Sequence, residues 1–240
     1  MDRQELYSRL ARSLPDIPRW LETRSMLLDG DAEVLGESEG NANAYVVRDI
    51  ATQLISVVGR APRSAVREAV FRSEGAGVAI CQMEDEGYVR PLLKGWRPGP
   101  ATLHLLNDSS RLPVSEEGSV RFIPLDEILA APQMPDSLRE ELRAATLWSE
   151  VGAAIVDGHP VSFCYVASET ETLWDISIDT LEPYRRQGYA ALAVTAMIEH
   201  MYRRKKRPVW GAEESNLASM ALAQRLGFTP VDRLVVFTRD

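Results

Sequence analysis

The sequence predicts a mixed α/β fold, and three observations support this class. Of the 240 residues, 45% are hydrophobic and 26% are charged, which is ordinary for a globular chain. The first half alternates segments of helical periodicity with segments of strand periodicity. The second half has the order hairpin, strand, helix, strand, helix, strand. That order is typical of a mixed sheet with helices packed on it.

Two prolines in the segment Ala130-Ala-Pro-Gln-Met-Pro135 interrupt a helical pattern and mark a boundary. We therefore expect a smaller α/β N-terminal lobe over residues 1–133 and a second domain over residues 134–240. Helical spacing in the lobe predicts helices at residues 3–14 and 61–71. Strand patterns in the lobe fall at residues 32–36, 44–49, 54–59, 77–82, 103–106 and 120–123. The lobe carries no catalytic motif.

The second domain opens with a helix and a hairpin. Asp157-Gly158 lies between the apolar runs 150–156 and 161–166, and Asp-Gly in that place is a strong hairpin signal. Gly227 stands where the C-cap of a helix belongs. The remaining patterns predict helices at residues 137–146, 187–204 and 217–226, and strands at residues 173–179, 209–212 and 234–238.

A basic, glycine-bearing turn joins the strand at 173–179 to the long helix that follows. It reads Thr180-Leu-Glu-Pro-Tyr-Arg-Arg-Gln-Gly-Tyr-Ala190. The start of a helix presents unpaired amides and the positive end of the helix dipole, so it binds anions such as phosphate. Arg185 and Arg186 add positive charge, and Gly188 lets the backbone approach a ligand. The turn matches neither G-x-x-x-x-G-K-[ST] nor G-x-G-x-x-G.

The spacing Arg185-x-x-Gly188-x-Ala190 resembles the Q/R-x-x-G-x-G/A signature of the GNAT superfamily of N-acyltransferases. A second segment strengthens the resemblance. Asn216-Leu-Ala-Ser219 leads through a helix to Gly227-Phe228, as in the second half of the GNAT acetyl-CoA site. The resemblance covers about residues 145–240 and is closest to the zwittermicin-resistance-type branch. It implies a C-terminal GNAT-like acyl-CoA-binding fold, with the N-terminal lobe either a degenerate GNAT-like half that contributes to the acceptor site or an unrelated α/β unit.

The resemblance also implies acetyl-CoA as cofactor and assigns residues to it. The backbone of the turn would hold the pyrophosphate, the end of the preceding strand would pair with the pantetheine arm, and the second segment would contact the same cofactor. The implied cofactor-binding residues are Ile178, Asp179, Thr180, Arg185, Arg186, Gln187, Gly188, Tyr189, Ala190, Asn216 and Ser219. Two plainer interpretations stay open: a helix start with solvated arginines, and a helix cap by Ser215 or Asn216.

Acyl transfer to an amine needs a base, because a free alkyl amine is mostly protonated at neutral pH. A carboxylate near the thioester can take that proton. Asp179 is the first candidate and Glu213 the second, although a solvated strand face explains both equally well. Many GNAT enzymes protonate the leaving thiolate with a tyrosine at the position of Ala223 here. That proton must come from another group or from water, or the step needs no acid.

The sequence therefore predicts an N-acetyltransferase that moves an acetyl group from acetyl-CoA to a primary amine of a small molecule by direct attack in a ternary complex. The alternative is a non-catalytic acyl-CoA-binding sensor of GNAT fold, and a weaker option is a protein-binding adaptor. A net charge of −8 argues against nucleic acid as partner and favours a cationic acceptor. The basic run 203–207 is interpreted as helix-dipole stabilisation or as a contact with the 3′-phosphate of the cofactor.

Metal, membrane and redox features point to a plain intracellular protein. Cys81 and Cys164 form no CxxC motif, and three histidines share no metal-ligand spacing, so no metal site is expected. The N-terminus lacks an apolar signal core, and no run approaches the length of a membrane span. We expect a cytoplasmic protein without membrane partners. The sequence does not define the oligomeric state, and a homodimer stays open.

Overall fold

A computed structural model describes residues 2–37, 43–73, 77–114, 118–131 and 133–239 of the protein. It confirms the predicted fold class, a mixed α/β protein with a mixed sheet and packed helices. The helices are α1 (Arg3–Ser13), α2 (Leu21–Asp29), α3 (Arg63–Arg72), α4 (Glu86–Val89), α5 (Leu125–Leu129), α6 (Asp136–Ala145), α7 (Tyr189–Arg203) and α8 (Leu217–Arg225). The strands are β1 (Ala32–Leu35), β2 (Tyr45–Asp49), β3 (Ile55–Val58), β4 (Val78–Gln82), β5 (Arg97–Leu106), β6 (Val120–Ile123), β7 (Val151–Val156), β8 (His159–Glu169), β9 (Leu173–Thr180), β10 (Arg207–Glu213) and β11 (Phe228–Thr238).

The chain forms two compact units that it visits more than once. The first unit contains Met1–His104, Gly211–Met220 and Pro230–Asp240, and the second contains Leu105–Trp210 and Ala221–Thr229. Strands β5, β10 and β11 and helix α8 pass from one unit to the other along their length. The assignment of two domains at 1–133 and 134–240 stays a prediction.

In the first unit, β1, β2 and β3 form an antiparallel meander, and α3 then connects β3 to its parallel neighbour β4. The C-terminal part of β11 pairs antiparallel with β4. Side chains alternate across β2, so that Val46 packs in a core with α3 while Tyr45 packs in a second core with α1 and α2. Apolar residues thus cover both faces of these strands.

In the second unit, β6, β7, β8 and β9 pair antiparallel in sequence order, and α7 then connects β9 to its parallel neighbour β10. Helices α5 and α6 pack on a core that includes Phe163 and Tyr165 of β8. Asp157 and Gly158 both have positive φ, 50° and 80°, as a two-residue hairpin turn of type I′ requires. The predicted β7–β8 hairpin is therefore confirmed.

The two units repeat one topology. Each has an antiparallel meander that ends in a parallel strand–helix–strand crossover, β3–α3–β4 in the first and β9–α7–β10 in the second. A parallel crossover needs a long connection, which the helix supplies. The sequence shows no such repeat, because the two crossovers share no motif.

Several strands are longer than predicted, and the largest extensions are in β5, β8 and β11. Strand β8 spans His159–Glu169 instead of 161–166. β5 begins at Arg97 rather than at Leu103, and β11 begins at Phe228 rather than at Leu234. Pro98 and Pro100 in the early part of β5 masked the strand pattern, since proline lacks the amide that a sheet interior needs. Among the described residues, no helix is long and apolar enough to cross a membrane.

Gly227 confirms the predicted end of α8. Its φ is 90°, and its amide donates to the carbonyl of Gln224 at 3.2 Å, as a left-handed helix terminus does. A Cβ at this position would lie 2.1 Å from the carbonyl oxygen of Asp108. Both the backbone conformation and this close approach therefore require glycine.

Candidate active site

The turn between β9 and α7 has an unusual backbone. Arg186 has a φ of 62° and Gly188 a φ of 94°, both in the left-handed region. Two such residues interrupt helical geometry, so α7 begins at Tyr189 and not at residue 187 as predicted. A non-glycine residue in this conformation costs about 1 kcal/mol or more, and such residues concentrate at functional sites.

The amides at the start of α7 are open to a ligand. Among the described residues, none accepts a hydrogen bond from the amides of Gly188, Tyr189, Ala190 or Ala191. These residues are half-buried except for Ala191, and the residues before them, Arg185 to Gln187, are exposed. With 15 residues behind them, the amides stand at the positive end of a helix dipole. This arrangement suits a phosphate group.

One backbone amide of the predicted pyrophosphate-binding turn already donates a hydrogen bond within the protein. The Arg185 amide donates to the carbonyl of Glu182 at 3.3 Å, in a short 3₁₀ turn. The Arg185 side chain donates from Nε to the carbonyl of Thr180 at 3.0 Å, which holds the turn against the end of β9. Arg185 therefore helps to fix the conformation of this turn. Arg185 and Arg186 are both exposed to solvent.

The parallel ladder between β9 and β10 is short. It joins Leu173–Asp175 to Arg207–Val209, and β9 then continues to Thr180. On its other edge β9 stays paired with β8 as far as Thr180. In the described part of the chain, no strand pairs with the open edge of β9 beyond Asp175. That edge, including Ile178 to Thr180, can accept an extended ligand as an added strand.

Asp179, the first candidate base, lies half-buried near the end of β9. Its backbone carbonyl accepts a hydrogen bond from the Ser162 hydroxyl at 3.0 Å. Burial raises the pKa of its carboxyl group, and the negative charge of Glu141 raises that pKa further. A hydrogen bond from Tyr165 and the charge of Arg185 act in the opposite direction. A raised carboxyl pKa makes a better base at neutral pH.

Sequence reasoning missed two neighbours of Asp179. The Tyr165 hydroxyl lies 3.5 Å from Asp179 Oδ2, and the same hydroxyl hydrogen-bonds to Glu141 Oε1. The sequence offered one indication that Glu141 faces the core. It lies three residues after Leu138 and four before Ala145, so it borders the buried face of α6. Tyr165 gave none, since it continues the apolar pattern of β8.

The remaining predicted site residues, Glu213, Asn216 and Ser219, belong to the first unit. Glu213, the second candidate base, is exposed and accepts a hydrogen bond from the Ser215 hydroxyl at 3.3 Å. Its neighbour Glu214 is engaged with Arg233 and Thr102. Asp179, by contrast, has charged and polar side chains beside its carboxyl group, so it stays the first candidate.

Asn216 and Ser219 lie at the start of α8. The Asn216 side chain accepts a hydrogen bond from the Ser219 amide at 3.1 Å, which is an N-cap. The capping interpretation is thus confirmed for Asn216 in preference to Ser215. A cofactor contact by the same two residues stays a prediction.

Two further features are resolved by the structure. Ala223 is fully buried, and its methyl side chain has no proton to give to a leaving thiolate. In the basic run at the end of α7, Arg204 and Lys206 both pair with Glu169 at 3.3 Å. These ion pairs were not predicted, and both the helix-dipole interpretation and the contact with the 3′-phosphate stay predictions.

The fold is that of the GNAT acetyltransferases. The chain resembles a GCN5-related N-acetyltransferase-like protein from Streptococcus suis 89/1591, with a TM-score of 0.70, 16% identity and 99% of each chain covered. It also resembles an acetyltransferase of the GNAT family from Colwellia psychrerythraea, with a TM-score of 0.60, 13% identity and coverage of 100% of this chain and 98% of that one.

A third similar structure is a tandem GNAT protein from the clavulanic acid biosynthesis pathway, with a TM-score of 0.61, 13% identity and coverage of 98% of this chain and 92% of that one. Within the sequence, residues 149–237 match the family described as GNAT acetyltransferase. No curated protein matches the chain significantly. The finer assignment to the zwittermicin-resistance-type branch stays a prediction.

Proposed function

We propose that this protein is an N-acetyltransferase that moves an acetyl group from acetyl-CoA to a primary amine of a small molecule. The observation that carries the proposal is the set of four open amides of Gly188 to Ala191, which overlaps the end of the Arg185-x-x-Gly188-x-Ala190 spacing. The GNAT fold and the family match over residues 149–237 support acyl transfer as the reaction class.

The residues of the turn fit the cofactor. The open amides and Arg186 would hold the pyrophosphate of acetyl-CoA, and the unpaired edge of β9 at Ile178 to Thr180 would pair with its pantetheine arm. Gln187 and Tyr189 complete the set of turn residues, and Asn216 and Ser219 remain predicted contacts. Bound acetyl-CoA supplies the acetyl group as a thioester, which a neutral amine attacks without a covalent enzyme intermediate.

Asp179 is the proposed base in this reaction. Its carboxylate takes a proton from the acceptor ammonium, directly or through a water molecule. The raised pKa of Asp179 brings its proton affinity closer to that of the group it must deprotonate. Ser162 fixes the backbone at this position, through bonds to the Asp179 carbonyl and to the Thr180 hydroxyl at 2.7 Å.

The first half of the chain is best explained as a degenerate GNAT-like half. Its β3–α3–β4 crossover repeats the topology of β9–α7–β10, and a tandem GNAT protein is similar over 98% of the chain. Its turn before α3 lacks the Arg-x-x-Gly-x-Ala spacing, so it carries no equivalent phosphate signature. A contribution of this half to the acceptor site stays a prediction.

The direct test is release of free thiol from acetyl-CoA in the presence of amines. Purified protein is incubated with acetyl-CoA and a panel of small amines, polyamines, amino acids and peptides, and thiol is measured by a chromogenic disulfide reagent. We expect at least one amine to stimulate thiol release above the rate of hydrolysis. With that amine, Asp179→Asn should lower kcat/KM by about 10²–10⁴-fold, the usual contribution of a general base.

Glu213→Gln is the comparison variant in the same assay. If Glu213→Gln abolishes turnover and Asp179→Asn does not, Glu213 is the base. Tight binding of acetyl-CoA by calorimetry with no turnover on any amine would replace the enzyme by an acyl-CoA sensor. The buried Ala223, in place of a tyrosine acid, is the observation that favours this second candidate.

A further inference from the structure

Asp179, Tyr165 and Glu141 meet on one face of the second unit. Antiparallel pairing of β8 and β9 sets Phe163 opposite Asp179 and Tyr165 opposite Ser177. Side chains two residues apart on a strand share a face, so Tyr165 and Asp179 point to the same side. Helix α6 packs on that side and brings Glu141 to the Tyr165 hydroxyl.

The Tyr165 hydroxyl has a single proton to donate, and two carboxylates lie within reach of it. The shorter contact is with Glu141 Oε1, and Asp179 Oδ2 lies at 3.5 Å, the outer limit of a hydrogen bond. Glu141 is therefore the stronger of the two acceptors for this proton, and Asp179 is the weaker. Asp179 is left with only the long, weak donation from that hydroxyl, so its carboxylate lacks the stabilisation that a full hydrogen bond from the phenol would give.

The surroundings strengthen this effect. Tyr165 is 3% exposed, so its contact with Asp179 is poorly screened by water. Burial raises the pKa of the Tyr165 hydroxyl, and the hydrogen bond to Glu141 raises it further. A hydrogen bond from Ser177 acts in the opposite direction, but the net shift is upward, so the phenol keeps its proton. The charge of Arg185 lowers the pKa of Asp179 and so opposes this effect, but Arg185 is exposed and bonded to the Thr180 carbonyl.

We propose that Glu141 and Tyr165 are positioning residues for the base of the reaction. Glu141 draws the proton of the Tyr165 hydroxyl away from Asp179, and this makes the Asp179 carboxylate a stronger base. The role of Glu141 and Tyr165 in catalysis rests on the proposed function. Their effect on the proton affinity of Asp179 does not, because it can be measured in the protein without substrate. Neither Glu141 nor Tyr165 need contact the substrate.

The test is a titration of the Asp179 carboxyl group by ¹³C NMR in the ligand-free protein, with Asp179→Asn to assign the signal. Glu141→Gln removes a charge and leaves an amide that can donate to the Tyr165 oxygen, so the phenol proton is free to turn to Asp179. We expect Glu141→Gln to lower the proton affinity of Asp179 by roughly threefold or more. Glu140→Gln, an exposed neighbour on α6, is the matched control and should leave it unchanged.

A double variant separates the contact through Tyr165 from the charge of Glu141. Tyr165→Phe keeps the ring that fills the core and deletes only the hydroxyl. In the Tyr165→Phe background, we expect Glu141→Gln to change the Asp179 titration by less than half of its effect in the native background. An equal effect in both backgrounds would mean that Glu141 acts by charge alone, and would overturn the proposal. No effect of Glu141→Gln in either background would overturn it as well.

Kinetics then connect the titration to turnover. With a substrate amine in hand, the acidic limb of the kcat/KM profile should move to lower pH in Glu141→Gln and stay in place in Glu140→Gln. At a pH above the acidic limbs of both the native protein and Glu141→Gln, the weaker base of the variant should lower kcat and leave KM for acetyl-CoA unchanged. The NMR titration needs neither cofactor nor acceptor, so it decides the role of Glu141 even if the proposed acetyl transfer fails.

Discussion

At the scale of single residues, backbone conformation decides whether the turn before α7 can bind an anion. Gly188 ends the turn with a φ of 94°, and its amide is the first of the four open amides. An ideal Cβ at Gly188 would meet no atom within 4 Å, so the space is free and only the dihedral angle demands glycine. The choice of residue here therefore concerns the direction of the amides and not packing.

Replacement of Gly188 by alanine should test this directly. Gly188→Ala should destabilise the fold by about 1 kcal/mol through backbone strain and, by turning the amides, should weaken coenzyme A binding at least tenfold. Gly158 is a matched control, because its φ is 80° and a Cβ there also meets nothing within 4 Å, but it lies in the β7–β8 hairpin. Calorimetry and thermal melts measure both variants. Equal loss of binding in Gly158→Ala and Gly188→Ala would contradict a local role for the turn.

At the scale of elements, α7 and α8 begin in different ways. Helix α7 starts after Gly188 without a side-chain cap, and its first amides are open. Helix α8 starts with Asn216, whose side chain accepts the Ser219 amide. A helix start that is capped by its own chain has fewer donors left for a ligand. The start of α7 therefore has more free donors for a phosphate than the start of α8, and it is the better supported part of the predicted cofactor site.

The roles of Asn216 as cap and as cofactor contact can be separated by substitution. Asn216→Ala removes the cap and should cost about 1 kcal/mol of stability. Asn216→Asp keeps the cap and suits the helix dipole, so stability should be retained. If Asn216 also contacts the cofactor, Asn216→Asp should still weaken coenzyme A binding, since it adds a charge that repels phosphate. Unchanged affinity in Asn216→Asp would assign Asn216 to the cap alone.

At the scale of the whole molecule, an acidic chain keeps a local site for an anion. The net charge is −8, yet the turn before α7 presents two exposed arginines and a helix dipole. Local donors dominate at contact distance, because fields from the remaining surface are screened within about 10 Å at 0.1 M salt. The overall charge then acts on the acceptor instead, which favours cationic amines at low salt.

Binding of coenzyme A should be visible as a shift in the stability of the whole protein. A ligand at 100 times its Kd stabilises the native state by about 2.7 kcal/mol, which for a chain of this size raises Tm by about 5–10 °C. The measurement is a thermal melt with and without saturating coenzyme A, with adenosine as a comparison that lacks the pyrophosphate. A Tm that coenzyme A leaves unchanged would remove the basis of the proposed function.

Sequence patterns were sufficient wherever the structure depends on neighbours along the chain. The Asp157-Gly158 turn, the Gly227 helix end and the strand–turn–helix around Gly188 are each set by local backbone preferences, and the structure confirms them. The mixed α/β class followed from the order of periodic segments. Proline obscured the start of β5, because its effect depends on which edge of the strand it occupies.

The sequence by itself determined the fold class, the turn with its Arg185-x-x-Gly188-x-Ala190 spacing, and Asp179 as a candidate base. Only the tertiary structure decided that β9 separates from β10 after Asp175, and that α6 brings Glu141 to Tyr165 beside Asp179. The physical reason is the distance along the chain over which each interaction acts. Helix caps, turns and hydrophobic periodicity depend on residues only a few positions apart. The environment of a carboxyl group, by contrast, depends on side chains that only folding brings together from distant parts of the chain.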